Sequence, residues 1–375
     1  MKKIYLLFFM VVVNVFSQAP ANYYANATGT GFALKTQLKT IISADNIQLT
    51  SAGYGALWTL YSTQLRDNFT QYDNDGSLFD IYSENPIGPD PFNYTSTAQQ
   101  DSGQNCVEGG CYNREHLIPQ SYFDKFTLYP MRNDAHHVVP SDKVVNAERG
   151  NYPFGKVATA TYTSLNGSKK GNNLDSGYSA GYSGVVFEPL DDFKGDVARS
   201  FFYFATRYED NMDEYFNTTA ATTACKDMFN GSINIVFSPT FLNILLTWNI
   251  NDPVSAKEIS FNNKIYIHQG NRNPYIDNNS YVASIWGVPL STDTFDVFAD
   301  TNIYPNPSAD NKININTTLI LDEIQIININ GQIMQMIQKP EFIDNNFTID
   351  NLTKGFYFVK MNAENQSITK KVIVN

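Results

Sequence analysis

Three of the four histidines in this 375-residue chain, His116, His136 and His137, fall within 22 residues of one another. An imidazole with a pKa near neutrality can take a proton from water at physiological pH. Glu115 stands directly before His116, and Asn146 follows on a segment that reads as a helix. A carboxylate beside a histidine, facing an amide, can build a site for a hard divalent cation with oxygen ligands. A zinc hydrolase is the rival, but Arg114-Glu115-His116 lacks the paired histidines of His-Glu-x-x-His, and three thinly spread imidazoles make a poor zinc shell. Cys225 has no histidine near it in sequence and reads as a small buried residue, not a nucleophile.

The elements that must hold these residues follow from pattern. Residues 112–119 read as a short strand ending at Pro119, and residues 135–139 as a second strand closed by Pro140. Ser141 is then a suitable N-cap for a helix running to Arg149. On that helix Asp142, Asn146 and Arg149 stand at i, i+4 and i+7 and share a face. His136 and His137 point opposite ways on a strand, so one supports the site or contacts substrate, with His137 the candidate. Asp142 either orients water near the site or serves the helix N-terminus.

Elsewhere, apolar spacing predicts helices within residues 36–72, over 191–208, from 237 to 248 and from about 252 to 266. Residues 79–83 read as a strand, and 84–111 and the stretch after Phe154 as Gly-, Ser- and Asn-rich loop. Cys106 and Cys111 enclose a turn-forming Val-Glu-Gly-Gly, and an oxidising destination would let them pair and stiffen the loop before Asn113. The fold class is therefore α+β, mainly helical around a strand–strand–helix motif. A composition change near residue 288 leads through a linker, 288–302, to short alternating strands over 303–375, which predict a small β-sandwich.

Export is predicted by Met1-Lys2-Lys3 followed by an apolar run to Phe16, a signal peptide over 1–17 with the mature catalytic domain over 18–287. Nothing after it approaches the apolar length of a membrane span. Net charge is −11, a poor match to a polyanion. Its distribution is uneven: residues 22–110 carry three basic and nine acidic groups, residues 157–298 nine and fifteen, but residues 112–156 six and five. Of these three stretches only the one with the candidate site escapes the acidic background, and a bound cation would add positive charge to it.

Two resemblances sharpen this reading. Tyr304-Pro305-Asn306-Pro307-Ser308, Leu352-Thr353-Lys354-Gly355-Phe356-Tyr357 and Thr369-Lys370-Lys371-Val372 resemble the C-terminal sorting domain of the type IX secretion system. That resemblance implies partnership with the secretion machinery and a product that is secreted or held at the cell surface after passage through the periplasm of a Gram-negative bacterium. From the residues alone the tail is a terminal β-module, for which carbohydrate binding or adhesion is the alternative.

Asn113-Arg114-Glu115-His116-Leu117-Ile118-Pro119, Asp134-Ala135-His136-His137-Val138-Val139-Pro140 and Val145-Asn146-Ala147-Glu148-Arg149-Gly150-Asn151-Tyr152 resemble the endonuclease I family of His-Me finger (ββα-metal) nucleases. Asp80-Ile81-Tyr82-Ser83, Lys194-Gly195-Asp196-Val197-Ala198-Arg199 and Gln269-Gly270-Asn271-Arg272-Asn273-Pro274 are outlying matches. The resemblance implies that Glu115 and Asn146 hold one Mg2+, with Ca2+ or Mn2+ as alternatives, and that His116 is the general base. It implies a monomer acting on DNA or RNA and leaving 5′-phosphate ends. The family also sets an arginine on the scissile phosphate, from a region where this chain is shorter. Arg149, Arg132 and Arg199 are the candidates, Arg149 favoured for sharing the helix face. Lys194 and His137 are expected to touch substrate.

Overall fold

The structure is a computed structural model describing residues 19–44, 53–123, 129–287, 301–328, 332–363 and 366–375. The expected signal peptide and most of the expected linker lie outside the described residues. The chain divides into two compact units, residues 1–290 and 291–375.

In the first unit, α1 (Gly31–Ile42) buries Leu34, Leu38 and Ile42 at helical spacing, and α2 (Gly53–Thr63) buries Leu57, Leu60 and Tyr61. The chain beyond Thr63 leaves the helix, so helical structure stops short of residue 72. Residues 79–83 are a turn instead of a strand. The Asp80 side chain accepts the Tyr82 amide at 2.8 Å while the Asp80 carbonyl takes the amides of Ser83 and Glu84; a side chain that binds its own backbone competes with a ladder. Strands β1 (Tyr112–His116) and β2 (Val138–Asp142) then pair antiparallel, followed by α3 (Lys143–Arg149).

The stretch after Phe154 is not simply loop. It holds an antiparallel sheet of β3 (Val157–Thr163), β4 (Lys169–Asn173) and β5 (Val185–Glu188), in the order β3-β4-β5. Most of β3 is exposed, so its alternating Thr and Ala carry little hydrophobic signal. A single 3-10 turn at Asp191–Phe193 precedes α4 (Lys194–Arg207), which is buried along nearly all its length. After α5 (Met212–Thr218), α4 is met by α6 (Pro239–Asn251), by α7 (Ala256–Gln269) through Glu258, by α8 (Pro274–Asp277) and by α9 (Ser280–Trp286) through Trp286. Helix α7 begins later than residue 252 because Ser255 and Glu258 form a reciprocal capping box. The core here is strongly aromatic, with Phe154, Phe187, Phe201, Phe237, Phe241 and Trp248 among its buried members.

The second unit packs a sheet of β6 (Asn302–Tyr304), β7 (Ile313–Asn316) and β10 (Asn346–Ile349) with one of β8 (Glu323–Asn328), β9 (Ile333–Gln338), β11 (Gly355–Ala363) and β12 (Gln366–Val374). Ile313, Ile315, Ile324, Ile326, Val359, Met361 and Val372 alternate inward to make its separate core. It is the expected all-β module.

Candidate active site

The motif is assembled by two aspartates. Asp134 caps a turn through residues 135–137: its carbonyl accepts the amides of His137 at 3.1 Å and Val138 at 2.9 Å, and its Oδ1 accepts the His136 amide at 3.1 Å. The second strand therefore begins at Val138, three residues later than the pattern suggested, and Pro140 lies inside it opposite Arg114. A proline survives there because the sheet has only two strands, leaving an open edge for its missing N–H. Asp142, not Ser141, caps α3, its Oδ1 accepting the amides of Val144 at 2.7 Å and Val145 at 2.8 Å. Its Oδ2 accepts the Tyr94 hydroxyl at 2.5 Å and the Gly109 amide at 2.8 Å. Gly109 belongs to the loop closed by a disulfide between Cys106 and Cys111. The disulfide loop thus docks on the helix N-terminus.

Residues two apart on β1 share a face, so Asn113 and Glu115 both look toward α3. Asn146 Nδ2 donates to Asn113 Oδ1 at 2.7 Å, and Arg149 Nη1 lies 3.1 Å from Glu115 Oε1. The helix face and the strand face meet in register and bring Asn146 to the Glu115 side. Glu115 is 1% exposed, and Tyr82 donates its hydroxyl to the same Oε1 at 3.1 Å. Burial pushes the Glu115 carboxyl up to about 7, opposed by Arg149 and Tyr82. Both contacts fall on one oxygen, so its partner oxygen is the one a cation can take. Asn146, with its amide nitrogen committed to Asn113, likewise has Oδ1 to offer. One carboxylate and one neutral amide make a thin donor set suited to an ion that keeps several waters, as Mg2+ does.

His116 closes β1. Its Nε2 stands 3.0 Å from the Arg132 carbonyl oxygen. A carbonyl only accepts, so Nε2 carries the proton and Nδ1 holds the lone pair. Among the described residues Nδ1 makes no hydrogen bond. Burial holds the imidazole down to about 3, reinforced by neighbouring His137, Arg132 and Arg114. It is a neutral base at physiological pH. Arg114 and Arg132 both lie on the Tyr54 ring, 3.5 and 4.3 Å from its centroid, and both are half-buried at the edge of the site.

The family described as Endonuclease I matches residues 30–280, two thirds of the chain and all of this site. The chain belongs to the Endonuclease I family. A secretion system C-terminal sorting domain matches residues 302–375. Among curated proteins, this Endonuclease I member is similar to an extracellular ribonuclease of Bacillus amyloliquefaciens, 32% identical over 266 residues that cover 70% of this chain and 78% of that protein. It is equally similar to an extracellular ribonuclease of Bacillus subtilis, 32% identical over 268 residues, with the same coverage.

The other residues singled out in this Endonuclease I chain are placed elsewhere by packing. Arg149 is 1% exposed and donates to the His116 carbonyl at 2.8 Å and to the Leu117 carbonyl. It ties the end of β1 to α3 and has no free face for a phosphate. Arg199 is fully buried in a two-pronged pair with Glu258 at 2.5 and 2.8 Å. Lys194 is spent on Glu188 at 2.6 Å and Asp191 at 2.5 Å. His137 is fully buried, its Nε2 2.7 Å from the Met131 carbonyl and its ring against Phe204. None of these four presents a surface on which a substrate can lie, which leaves Arg132 as the accessible candidate from the sequence.

Arg114, Tyr54, Asn113 and Tyr82 were not singled out as site residues. Asn113 was within reach of sequence reasoning, since it stands two residues before Glu115 on a strand. Tyr82 arrives from a distant turn whose residues have the pattern of a strand; the family likeness of Asp80-Ile81-Tyr82-Ser83 takes it in but gives it no role. Asn271, Arg272 and Asn273 fix a loop, Arg272 pairing with Asp277 at 2.7 Å. A cavity of about 660 Å3 lined by Phe216, Phe229, Phe241 and Ile244 includes none of Glu115, His116 or Asn146.

Proposed function

We propose that this protein is a secreted, divalent-metal-dependent endonuclease of low sequence specificity, acting on RNA, DNA or both and leaving 5′-phosphate ends. Membership of the Endonuclease I family makes it a nuclease, and its sorting domain addresses it outward. No helix among the described residues is long and apolar enough to cross a membrane. The two Bacillus relatives are extracellular ribonucleases, which favours RNA as a first substrate to try.

The observation that carries the reading is the paired commitment of His116 Nε2 to a carbonyl and of Asn146 Nδ2 to Asn113. Together they leave a lone pair on His116 Nδ1 and an acceptor oxygen on Asn146 beside Glu115. Glu115 and Asn146 would hold Mg2+, with Ca2+ or Mn2+ as alternatives, and the ion would supply charge stabilisation to the phosphate and the departing 3′ oxygen. His116 Nδ1 accepts a proton from water as the water oxygen bonds to phosphorus and the bond to the 3′ oxygen breaks. The Arg132 carbonyl holds the ring in the required tautomer throughout. Arg132 and Arg114, stacked on Tyr54, offer guanidinium groups to the backbone phosphates, which carry no sequence code.

Purified protein incubated with plasmid or total RNA and Mg2+ should cleave, and EDTA should stop it. His116→Ala should lower the rate by roughly 100-fold or more, in the range ascribed to general-base catalysis, while the circular dichroism spectrum stays unchanged. Intact substrates at high enzyme concentration would rule out the nuclease reading, and an active His116→Ala would remove His116 from its role.

A further inference from the structure

A second group of acids lies away from Glu115 and Asn146. Asp67, Asp73 and Asp75 each offer a carboxylate oxygen within 4.8 Å of the others, and Asp73 does the same with Glu84 and Asp90. Among the described residues none of the five enters a salt bridge. Glu84 is 0% exposed, and neither of its carboxylate oxygens has a hydrogen-bond partner. A buried carboxylate with both oxygens bare, pointed at two further carboxylates, is a costly arrangement unless a proton or a cation completes it.

We propose that Asp73, Glu84 and Asp90, with Asp67 and Asp75 adjoining through Asp73, bind a calcium ion as a structural site separate from Glu115 and Asn146. Oxygen-only donors with no histidine or cysteine suit a hard cation and not zinc, and several carboxylates in a loop match the high, flexible coordination number of Ca2+ better than the tight octahedron of Mg2+. The surroundings are already organised for such a ligand set. Asp90 Oδ1 accepts the Asn85 amide at 2.7 Å, closing the loop between Glu84 and Asp90, and Asn166 Nδ2 holds the Ile81 and Glu84 carbonyls at 3.2 Å each. Burial raises the Glu84 carboxyl to about 9 and Asp90 to about 7, and the neighbouring acids push both further in the same direction. A cation reverses that penalty.

The site also has a route to the nuclease centre. Between Asp75 and Glu84 the chain carries Asp80, whose Oδ2 accepts the Asp142 amide at 2.7 Å, and Tyr82, which donates to Glu115. Calcium at this loop would fix the turn that positions both.

The test uses the full chain bearing Glu115→Gln and Asn146→Ala, stripped with chelator, with calcium binding followed by equilibrium dialysis and melting temperature followed in CaCl2 or MgCl2. One calcium per chain and a melting temperature raised by several degrees in millimolar CaCl2, more than in equal MgCl2, are expected. Adding Glu84→Gln should abolish both effects, and Asp73→Asn, at an exposed position, should weaken binding at least tenfold. Should Glu84→Gln fail to fold, Asp73→Asn and Asp90→Asn decide. No calcium bound by the doubly substituted parent would overturn the proposal and leave Glu84 a buried neutral acid. Undiminished binding after substitution at Asp73 and Asp90 would overturn it equally.

Discussion

His116 has a consequence for stability that separates it from an ordinary histidine. Its pKa in the fold is near 3, below the unfolded value of 6.5, because burial and the adjacent His137, Arg132 and Arg114 disfavour the imidazolium. The unfolded chain therefore binds a proton that the fold refuses, so this group's contribution is present above pH 6.5 and is lost as pH falls toward 3. The stability difference between wild type and His116→Ala should shrink by about 1.4 kcal/mol per pH unit between roughly pH 6 and pH 4. Urea midpoints of the two proteins across that range measure it. Parallel curves would mean that His116 is hydrated and titrates normally. At this scale the sequence was legible for placement: Glu115 and His116 fall at the end of β1, and Asn146 lies on α3 against Asn113. It was illegible for Arg149, Arg199, Lys194 and His137. A guanidinium that clamps a phosphate and one that braces two carbonyls look alike until the partner is known, and the groups that accept hydrogen bonds from the Arg199 guanidinium lie 50 to 59 residues away.

Among elements, α3 depends on Asp142 more than its seven residues suggest. That one carboxylate caps the helix, holds the disulfide loop through Gly109 and satisfies the buried Tyr94 hydroxyl. Asp142→Ala should cost about 2 kcal/mol, roughly 1 for the cap and the remainder for the lost bonds from the part-buried Gly109 amide and from the Tyr94 hydroxyl, which keeps the Cys111 carbonyl at 3.2 Å. Chemical denaturation of the variant is the check, and a loss under about 1 kcal/mol, the value of a cap alone, would show that water replaces the carboxylate at Gly109 and Tyr94. Asp142→Asn should recover part of the loss through its remaining carbonyl oxygen. The strand–strand–helix order was readable because proline and aspartate punctuate it, although the wrong residue was read as the cap. The shift of β2 and the sheet β3-β4-β5 were not readable. Asp134 takes Ala135, His136 and His137 out of the strand through hydrogen bonds that periodicity does not register, and an exposed strand of Thr and Ala has no buried face to betray it.

On the scale of the whole chain, the two units bury their apolar residues in separate cores, Phe201 and Trp248 in one, Ile324 and Val359 in the other. This division was visible as a change from helical to alternating pattern, since each unit must cover its own hydrophobic face. The charge is also divided: an acidic molecule of net −11 keeps its balanced stretch at residues 112–156, wholly within the first unit. Tyr82, Asn113 and Arg149, which contact Glu115 and Asn146, belong to that unit. A protein ending at residue 290 should therefore cleave RNA or plasmid with kcat/KM within about twofold of the full chain, as expected for a domain with its own core. In a host carrying the matching secretion machinery, the same truncation should leave the nuclease inside the cell envelope while the full chain reaches the surface or the medium. Cleavage assays on the purified proteins and immunoblots of cell and medium fractions read the two outcomes separately. Loss of activity on truncation would mean that the tail completes the catalytic unit, and export without the tail would mean that the address lies elsewhere in the chain.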